Sequence, residues 1–302
     1  MSVSAVGRSR RRLRLSHAHF FVLPYVVLLL AFGIGPALYG VATGFFDTTT
    51  TTWRWVGLAN YTTVLADFRL GPAFLDVLIF MLIWLPLLVV LVLALSLLLH
   101  ARVGRFSAVM RMIYYLPGAV AGSASALLWL FMFDPRLSPF GPLLRLLGLH
   151  TLVDVLTPTY LPGIFAVIAL FSGLGGWVVV VFGALTNIAP EVLEAATIDG
   201  CNGWQSAIYI KLPLVRRYIA LMLILSFAGG VQLFVEPSIM NTATLGTIGV
   251  WSPNQLAYAY AFTDGNFGKS AAVSTGLLLI GLVGALLIVF GTDFYRVDAG
   301  EG

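Results

Sequence analysis

Long apolar runs alternate with short polar connections along this chain. A membrane-spanning helix needs about 20 predominantly apolar residues, and six uncharged runs approach or exceed that length. They cover residues 20–46, 77–99, 112–133, 155–190, 218–235 and 270–292. Their apolar positions are continuous, as in LPLLVVLVLALSLLL, whereas a membrane β-barrel requires alternation at period two. The pattern therefore predicts an all-α, polytopic membrane protein with six transmembrane helices.

The connections between these runs are short. A further uncharged run, 237–263, is rich in Ser, Thr, Asn, Gln, Gly and Pro and predicts a loop. Two other long connections cover about 47–75 and about 134–154. None of them is long enough to fold alone, because domains below about 40 residues rarely bury enough surface. The driving force for any transport is therefore expected to come from a partner, an ion gradient or the substrate's own gradient.

Composition and charge agree with a membrane protein and add an orientation. The 302 residues have a mean hydropathy of +0.96 and are only 10% charged, whereas about a quarter of the residues of a soluble domain are charged. Of the 17 basic residues, 12 lie before the first run, after the second, after the fourth or after the sixth. Basic connections face the cytoplasm, so both termini are predicted to be cytoplasmic and no nucleic-acid partner is expected.

These observations predict a domain organisation. Residues 1–19 form a basic cytoplasmic tail, 20–295 a transmembrane domain and 296–302 a second cytoplasmic tail. The first apolar run is longer than the core of a signal peptide, which favours an uncleaved first span.

Catalytic and metal-binding patterns are absent from the sequence. Cys201 is the single cysteine, and the closely spaced pair His17 and His19 lies in the basic tail, so no metal site is expected. TDGNFGKSAA looks like a phosphate loop, but Thr263 stands where that motif requires glycine. Lys269 is therefore expected to mark only the outer end of the sixth span. The absence of a nucleophile–base–acid set disfavours a membrane enzyme.

One charged segment, residues 191–213, interrupts the apolar pattern between the fourth and fifth runs. Pro190 suits the first turn of a helix, and the helix dipole favours Glu191 and Glu194 in the turns that follow. Asp199 and Gly200 predict a turn that ends this helix. A second short helix should end at Leu212-Pro213, because the residue before proline is pushed out of the helical region.

The predicted helix–turn–helix has one face of small apolar residues, formed by Ile188, Val192, Ala195 and Ala196. Such a face permits close approach of another protein. A hairpin lying on lipid is the alternative, but Glu191, Glu194 and Asp199 would then meet an anionic leaflet. Docking of a protein partner is therefore favoured.

The spacing within this segment resembles the Glu-Ala-Ala loop of bacterial ABC importer permeases. The matching residues are Glu194, Ala195, Ala196, Asp199, Gly200, Ile210, Leu212 and Pro213. Cys201, Ala207 and Arg217 depart from the usual pattern. WVGLANYTTVLAD (55–67), GGVQLFVEPSIMNTATLG (229–246) and FGKSAAVSTGLLLI also resemble carbohydrate-uptake permeases of the sugar and glycerol-phosphate type. The first of these stretches is similar to the first of their two permease subunits.

The resemblance implies a non-catalytic permease of the bacterial cytoplasmic (inner) membrane that imports a sugar or sugar-like solute by alternating access. The coupling loop would cover about 187–215. Implied partners are a second permease in a heterodimer, two ATPase subunits, an extracytoplasmic solute-binding protein and membrane lipid. The chain itself would bind no cofactor, since ATP and Mg would be held by the ATPases. An ion-coupled secondary transporter of a small polar solute is the alternative, disfavoured by the lack of an internal repeat and of a deep carboxylate.

A sugar pathway needs aromatic and hydrogen-bonding side chains in a mostly apolar cavity. Candidates in or near the spans are Asp76, Trp84, Tyr114, Tyr115, Trp129, Trp177, Gln232 and Glu236. Asp76 and Glu236 are expected at the outer interface, where solvation alone explains them. Gln232 is expected deeper and buried, and a buried amide needs a partner, so it is the strongest candidate.

Overall fold

A computed structural model describes residues 17–50, 52–120 and 122–292, and these ranges are mostly helical. The predicted tail 1–19 lies outside them except for residues 17–19, which begin the first helix, and the predicted tail 296–302 lies outside them entirely. The predicted orientation of the termini is therefore not addressed by the described residues.

The N-terminal half contains the first three predicted spans. The first is α1 (His17–Leu29), a π-helical turn (Leu30–Ile34) and α2 (Gly35–Thr43). A short antiparallel pair, β1 (Phe46–Asp47) and β2 (Arg54–Trp55), and the helix α3 (Ala59–Leu65) lead into the long helix α4 (Leu70–Ala101). The third predicted span consists of α5 (Arg105–Tyr115), a 3-10 turn (Leu116–Ala119) and α6 (Gly122–Phe133).

The C-terminal half contains the other three predicted spans and the charged segment. Two short helices, α7 (Gly141–Leu146) and α8 (Leu152–Val155), precede α9 (Leu161–Thr186). The charged segment forms α10 (Pro190–Ile198), α11 (Gly203–Ser206), a π-helical turn (Ala207–Lys211) and α12 (Leu212–Leu214). It is followed by α13 (Arg216–Val231), α14 (Val235–Ala243), α15 (Pro253–Tyr258), a π-helical turn (Ala259–Thr263) and α16 (Phe267–Gly291).

The helical units among the described residues agree with a multi-pass membrane protein. Five are long and apolar enough to span a membrane, namely Phe21–Thr43, Leu70–Ala101, Leu161–Thr186, Arg216–Ala243 and Phe267–Gly291. The predicted third span is not straight, because α5 and α6 meet at 96°. Pro117 and Gly118, which lie at that bend, are residues that interrupt helices. The described part of the chain thus has five candidate spans, or six if the bent pair counts as one.

The core lies between α4 and α9. Side chains four residues apart on α4, Phe80, Trp84, Leu88 and Val92, are buried as one stripe, as expected for one face of a helix. From α9, Phe165 and Ile168 are buried on the facing side. Gly175 of α9 permits close contact with α5, because a Cβ atom there would collide with the Tyr114 carbonyl oxygen.

The predicted loop 237–263 is wrong in most of its length. Its first part belongs to α14, which extends the fifth span, and Trp251, Leu256 and Tyr260 from its remainder are buried. Trp251 packs edge-on against Phe165, with 4.5 Å between ring centroids. The polar residues that indicated a loop serve instead as caps: Ser252 and Gln255 form a reciprocal capping box at the start of α15.

A polar cluster fixes this segment to the start of α4. Asp67 accepts hydrogen bonds from Arg69, with Nη2 at 2.8 Å, and from the Tyr260 hydroxyl. The Arg69 guanidinium holds the pKa of the Asp67 carboxyl well below its usual range. Burial and the Asp67 carboxylate raise the pKa of Tyr260 to about 12, so its hydroxyl stays protonated and donates.

Candidate functional site

The charged segment forms the predicted helix–turn–helix, and each of its turns has a local cause. Pro190 occupies the first turn of α10, and Glu191 lies beside it. Gly200 has a φ of +84°, a conformation that costs other residues energy because of their Cβ atom. The Cys201 N–H then donates to the Ala196 carbonyl at 3.0 Å, which satisfies a carbonyl at the helix end.

A reciprocal capping box starts the second helix. The Asn202 side chain accepts from the Gln205 N–H and the Gln205 side chain accepts from the Asn202 N–H, each at 2.9 Å. Sequence reasoning missed this pair, although the spacing of a capping residue and a glutamine three positions later is a recognised helix-start signal.

The predicted end of the second helix at Leu212-Pro213 is wrong. Leu212 is helical, with φ −62° and ψ −45°, and the π-helical turn before it leads directly into α12. Proline is tolerated in the first turn of a helix, and Pro213 has that position in α12. The helical run is interrupted instead at Val215, which is buried and precedes α13.

The segment presents charge and apolar surface together. Glu191, Glu194 and Asp199 are exposed, and none of them forms an ion pair with another described residue. Large side chains of the segment are also exposed, namely Val192, Ile198, Trp204 and Tyr209. The predicted face of small residues is divided, because Ala195 is exposed whereas Ala196 is buried. Ile210 and Leu212 are half-buried and Pro213 is exposed.

Gln232 lies at a break in the fifth span, between α13 and α14, and the prediction that it is buried is wrong. Its side chain is exposed and donates from Nε2 to the Ala228 carbonyl at 3.2 Å. Asn254 of α15 donates to the Gln232 backbone carbonyl at 3.0 Å. At the break, the Gln232 carbonyl therefore accepts from a side chain of another helix.

A cavity of about 250 Å³ lies at this break and is lined by Gln232, Asn254, Ser274, Leu277 and Leu278. Its polar lining residues carry two amides and a hydroxyl and no charge. The Ser274 hydroxyl already donates to the Ser270 carbonyl and can only accept from a solute. Each amide uses one N–H within the protein and keeps a second N–H and an oxygen, which suits the hydroxyls of an uncharged solute. Asn254 and Ser274 were not candidates from the sequence, because the first lay in a supposed loop and the second has an ordinary position in a span.

The predicted pathway residues Trp84, Tyr114, Tyr115 and Trp177 lie on three different helices, α4, α5 and α9. Trp84 is buried and stacks on Phe80, with 5.3 Å between ring centroids. It also packs against Gly230, two residues before Gln232. Tyr114 and Trp177 are half-buried against the core and Tyr115 is exposed. No hydrogen bond or ring contact between described residues joins Tyr114 or Tyr115 to the break.

Asp76 lies nearly two turns into α4, and Glu236 lies in the first turn of α14. Since α4, with 32 residues, is longer than the roughly 20 residues that span a membrane, the position of Asp76 at the outer interface stays a prediction, as does that of Glu236. Asp76 and Glu236 each bound an uncharged run in the sequence, but the helical structure continues on both sides of each residue. Negative charge at the start of α14 is favoured by the helix dipole.

The backbone N–H groups of the stretch that resembles a phosphate loop donate to other side chains of the protein. The Gly268 N–H donates to the Thr48 side chain at 2.9 Å, and the Lys269 N–H donates to the Asn266 side chain at 2.9 Å. Since these backbone donors are already satisfied, they are not available to cradle a phosphate.

Comparison with known proteins connects this architecture to a family. A scan against models of protein families finds no match. A probable ABC transporter permease of Pyrococcus horikoshii is 28% identical over 283 residues, covering 91% of this chain and 94% of that protein. An osmoprotective-compound uptake permease of Synechocystis is 28% identical over 289 residues, covering 93% and 99%. An arabinooligosaccharide transport permease of Halalkalibacterium halodurans is 22% identical over 287 residues, covering 93% and 87%.

The resemblance to ABC transporter permeases is therefore confirmed. These permease relatives match along almost their whole length, so the similarity extends well beyond the charged segment. A bacterial ABC transporter involved in alginate import has the same fold, with a TM-score of 0.78, 18% identity and coverage of 93% of this chain and 96% of that one. A second structure contains that transporter in complex with an alginate pentasaccharide-bound periplasmic protein, with a TM-score of 0.76 and 18% identity.

Proposed function

We propose that this chain is a permease subunit of an ATP-driven importer for a sugar or sugar-like solute. The observation that carries the proposal is the exposed acidic helix–turn–helix, residues 190–214, in a chain that matches ABC permeases over nearly its whole length. The chain contributes the membrane path, and partner ATPases hydrolyse ATP with Mg. ATP-driven movement of residues 190–214 then opens the path alternately to each side of the membrane.

The proposed partners follow from the same features. Two ATPase subunits each bind one such segment, a second permease completes a heterodimer in the bacterial inner membrane, and an extracytoplasmic protein delivers the solute. The chain corresponds to the first of the two permeases, with both termini in the cytoplasm. The alginate importer in complex with its periplasmic protein supports a delivery partner of this kind.

A solute class follows from the polar break. The cavity beside Gln232 offers amide and hydroxyl groups without charge, which favours a neutral polyhydroxyl compound over an anionic one. A permease for arabinooligosaccharides among the relatives supports the sugar class.

The coupling role is tested by substituting Glu194. The chain is purified with its ATPase and second permease, and Glu194→Lys is compared with Asp264→Lys, an exposed acid outside residues 190–214. We expect Glu194→Lys to lose ATPase binding and ATP-dependent uptake and Asp264→Lys to keep both. Unchanged binding and uptake in Glu194→Lys would contradict the coupling role.

The orientation of the chain is tested separately. A topology reporter fused near Asn202 should give a cytoplasmic signal, and an external signal would overturn the proposed orientation.

An ion-coupled secondary transporter is a second candidate because two carboxyl groups, Asp76 and Glu236, lie within the helices of candidate spans. Ionisable groups at such positions mark ion paths in many transporters. The candidates separate in proteoliposomes that contain this chain alone. Uptake that follows a proton or sodium gradient without ATP, and that is lost in Glu236→Gln, would favour the second candidate.

A further inference from the structure

His100, near the cytoplasmic end of α4 in the proposed orientation, contacts the segment 190–214 directly. Its Nδ1 atom lies 3.3 Å from Nζ of Lys211, in the π-helical turn. A lysine ammonium only donates hydrogen bonds, so Nδ1 accepts and the ring is neutral in this arrangement. The same ring also packs against α9, through Phe182 near the end of that helix.

Three elements therefore meet at the half-buried His100 imidazole, namely α4, α9 and the charged segment 190–214. The contact is supported by Phe182 of α9, whose ring lies edge-on to His100 with 6.1 Å between centroids. The Arg111 guanidinium of α5 lies over the same Phe182 ring, 3.8 Å from its centroid. The core packing of α4 against α9 thus continues to the base of the charged segment.

The charges around this imidazole have one sign. Lys211 faces the His100 ring directly, and Arg111 lies over the Phe182 ring, which packs against His100. Arg102 follows His100 closely in sequence, at the end of α4. The helix α9 has no charged residue, and none of Glu191, Glu194 and Asp199 forms an ion pair with Lys211 among the described residues. A proton on His100 would therefore place a second cation 3.3 Å from Lys211 without a compensating carboxylate.

We propose that His100 is the positioning residue that transmits movement of residues 190–214 to the second and fourth spans, and that its protonation breaks this connection. Histidine is the side chain that ordinarily changes charge near neutral pH. Acidification of the cytoplasm then releases Lys211 and slows uptake, although the ATPase stays bound. The inference rests on the proposed importer function.

The test uses the complete importer in proteoliposomes, with ATP and pH controlled on the cytoplasmic side. In the wild type we expect the uptake rate to fall by about fivefold or more when the pH is lowered from about 7.5 to about 4.5. Because like charges this close repel strongly, protonation of His100 beside Lys211 should need a more acidic solution than protonation of an exposed histidine. His100→Gln keeps an acceptor and a donor but does not titrate, so most uptake at the higher pH should remain and the fall should be lost. His100→Leu, which removes the contact, should show low uptake at both pH values with normal ATPase binding.

A fall of equal size in the wild type and in His100→Gln would overturn the proposal, as would full uptake in His100→Leu at the higher pH. Thermal unfolding of the permease in detergent gives a readout that does not need transport. The melting temperature should decrease on acidification more in the wild type than in His100→Gln. If no form shows ATP-dependent uptake, the importer function fails, and this melting comparison alone decides whether the His100–Lys211 contact senses protons.

Discussion

The charged segment and the polar break in the fifth span differ in how the chain builds them. The charged segment, residues 190–214, is continuous in sequence, and its turns are fixed by residues within it, such as Gly200 and the Asn202–Gln205 pair. The polar break brings together Gln232, which follows α13, with Asn254 of α15 and Ser274 of α16. The first region depends on local conformation and the second on how distant helices pack.

This difference predicts separable defects. Changes in the charged segment should uncouple the chain from its ATPases, whereas changes at the break should alter solute transport while the ATPases remain bound. Measuring ATPase binding and uptake together therefore distinguishes the two regions, and any variant that impairs both would weaken the division.

Gly200→Ala should have the largest effect. Its φ of +84° costs an L-residue about 1–2 kcal/mol, so the turn after α10 should shift and ATP-dependent uptake should fall about tenfold, with loss of ATPase binding in pull-down. Gly203→Ala is the matched control, because Gly203 lies in the first turn of α11 with open space around it. Equal behaviour of the two variants would show that the turn does not position the segment.

The sequence predicted these two regions with unequal success for physical reasons. Pro190, Gly200 and the acidic first turn act through neighbouring residues, so their spacing alone indicated the helix and its end. The wrong end at Leu212-Pro213 arose because the preference of a residue before proline is weak enough for a π-helical turn to override it. The loop predicted at 237–263 failed because Trp251 and Tyr260 are buried by contacts with distant residues, which local polarity does not reveal.

Asn254→Ala should impair uptake about fivefold and leave ATPase binding unchanged. The substitution removes the hydrogen bond to the Gln232 carbonyl, and one such bond contributes about 1 kcal/mol. Uptake kinetics with radiolabelled sugar would measure the loss. Thr159→Ala, at an exposed polar residue before α9 and outside both regions, is the control and should behave as the wild type. Reduced ATPase binding in Asn254→Ala would contradict the separation of the two regions.

Asp67→Asn should reduce stability and uptake modestly, because it weakens the bonds from Arg69 and Tyr260 that hold the segment before α16. A loss of about 1–3 kcal/mol is typical for a hydrogen-bonded charged group, and uptake should fall about threefold. The pKa of Asp67 is lowered in the folded chain, so its stabilisation is complete above the carboxyl's ordinary range and is lost only as the pH falls below it. Thermal unfolding in detergent should therefore show a wild-type advantage over Asp67→Asn between about pH 5 and 8 that shrinks in strong acid. A constant difference down to strong acid would contradict the assignment.

Asn202→Ala should have the smallest effect, and it tests whether the charged segment is as local as its sequence indicates. The substitution removes the cap of α11, which typically costs about 1 kcal/mol, but the π-helical turn and α12 still hold the second half of the segment. We expect uptake to fall about twofold, and Asn202→Asp, which keeps an acceptor for the Gln205 N–H, to restore it. Uptake assays on these two variants separate the cap from the amide, because both substitutions remove the Asn202 amide but only Asn202→Ala removes the cap. If both variants fail equally, Asn202 acts through its amide on a partner rather than through the helix start, and the segment is less self-contained than its hydrogen bonds indicate.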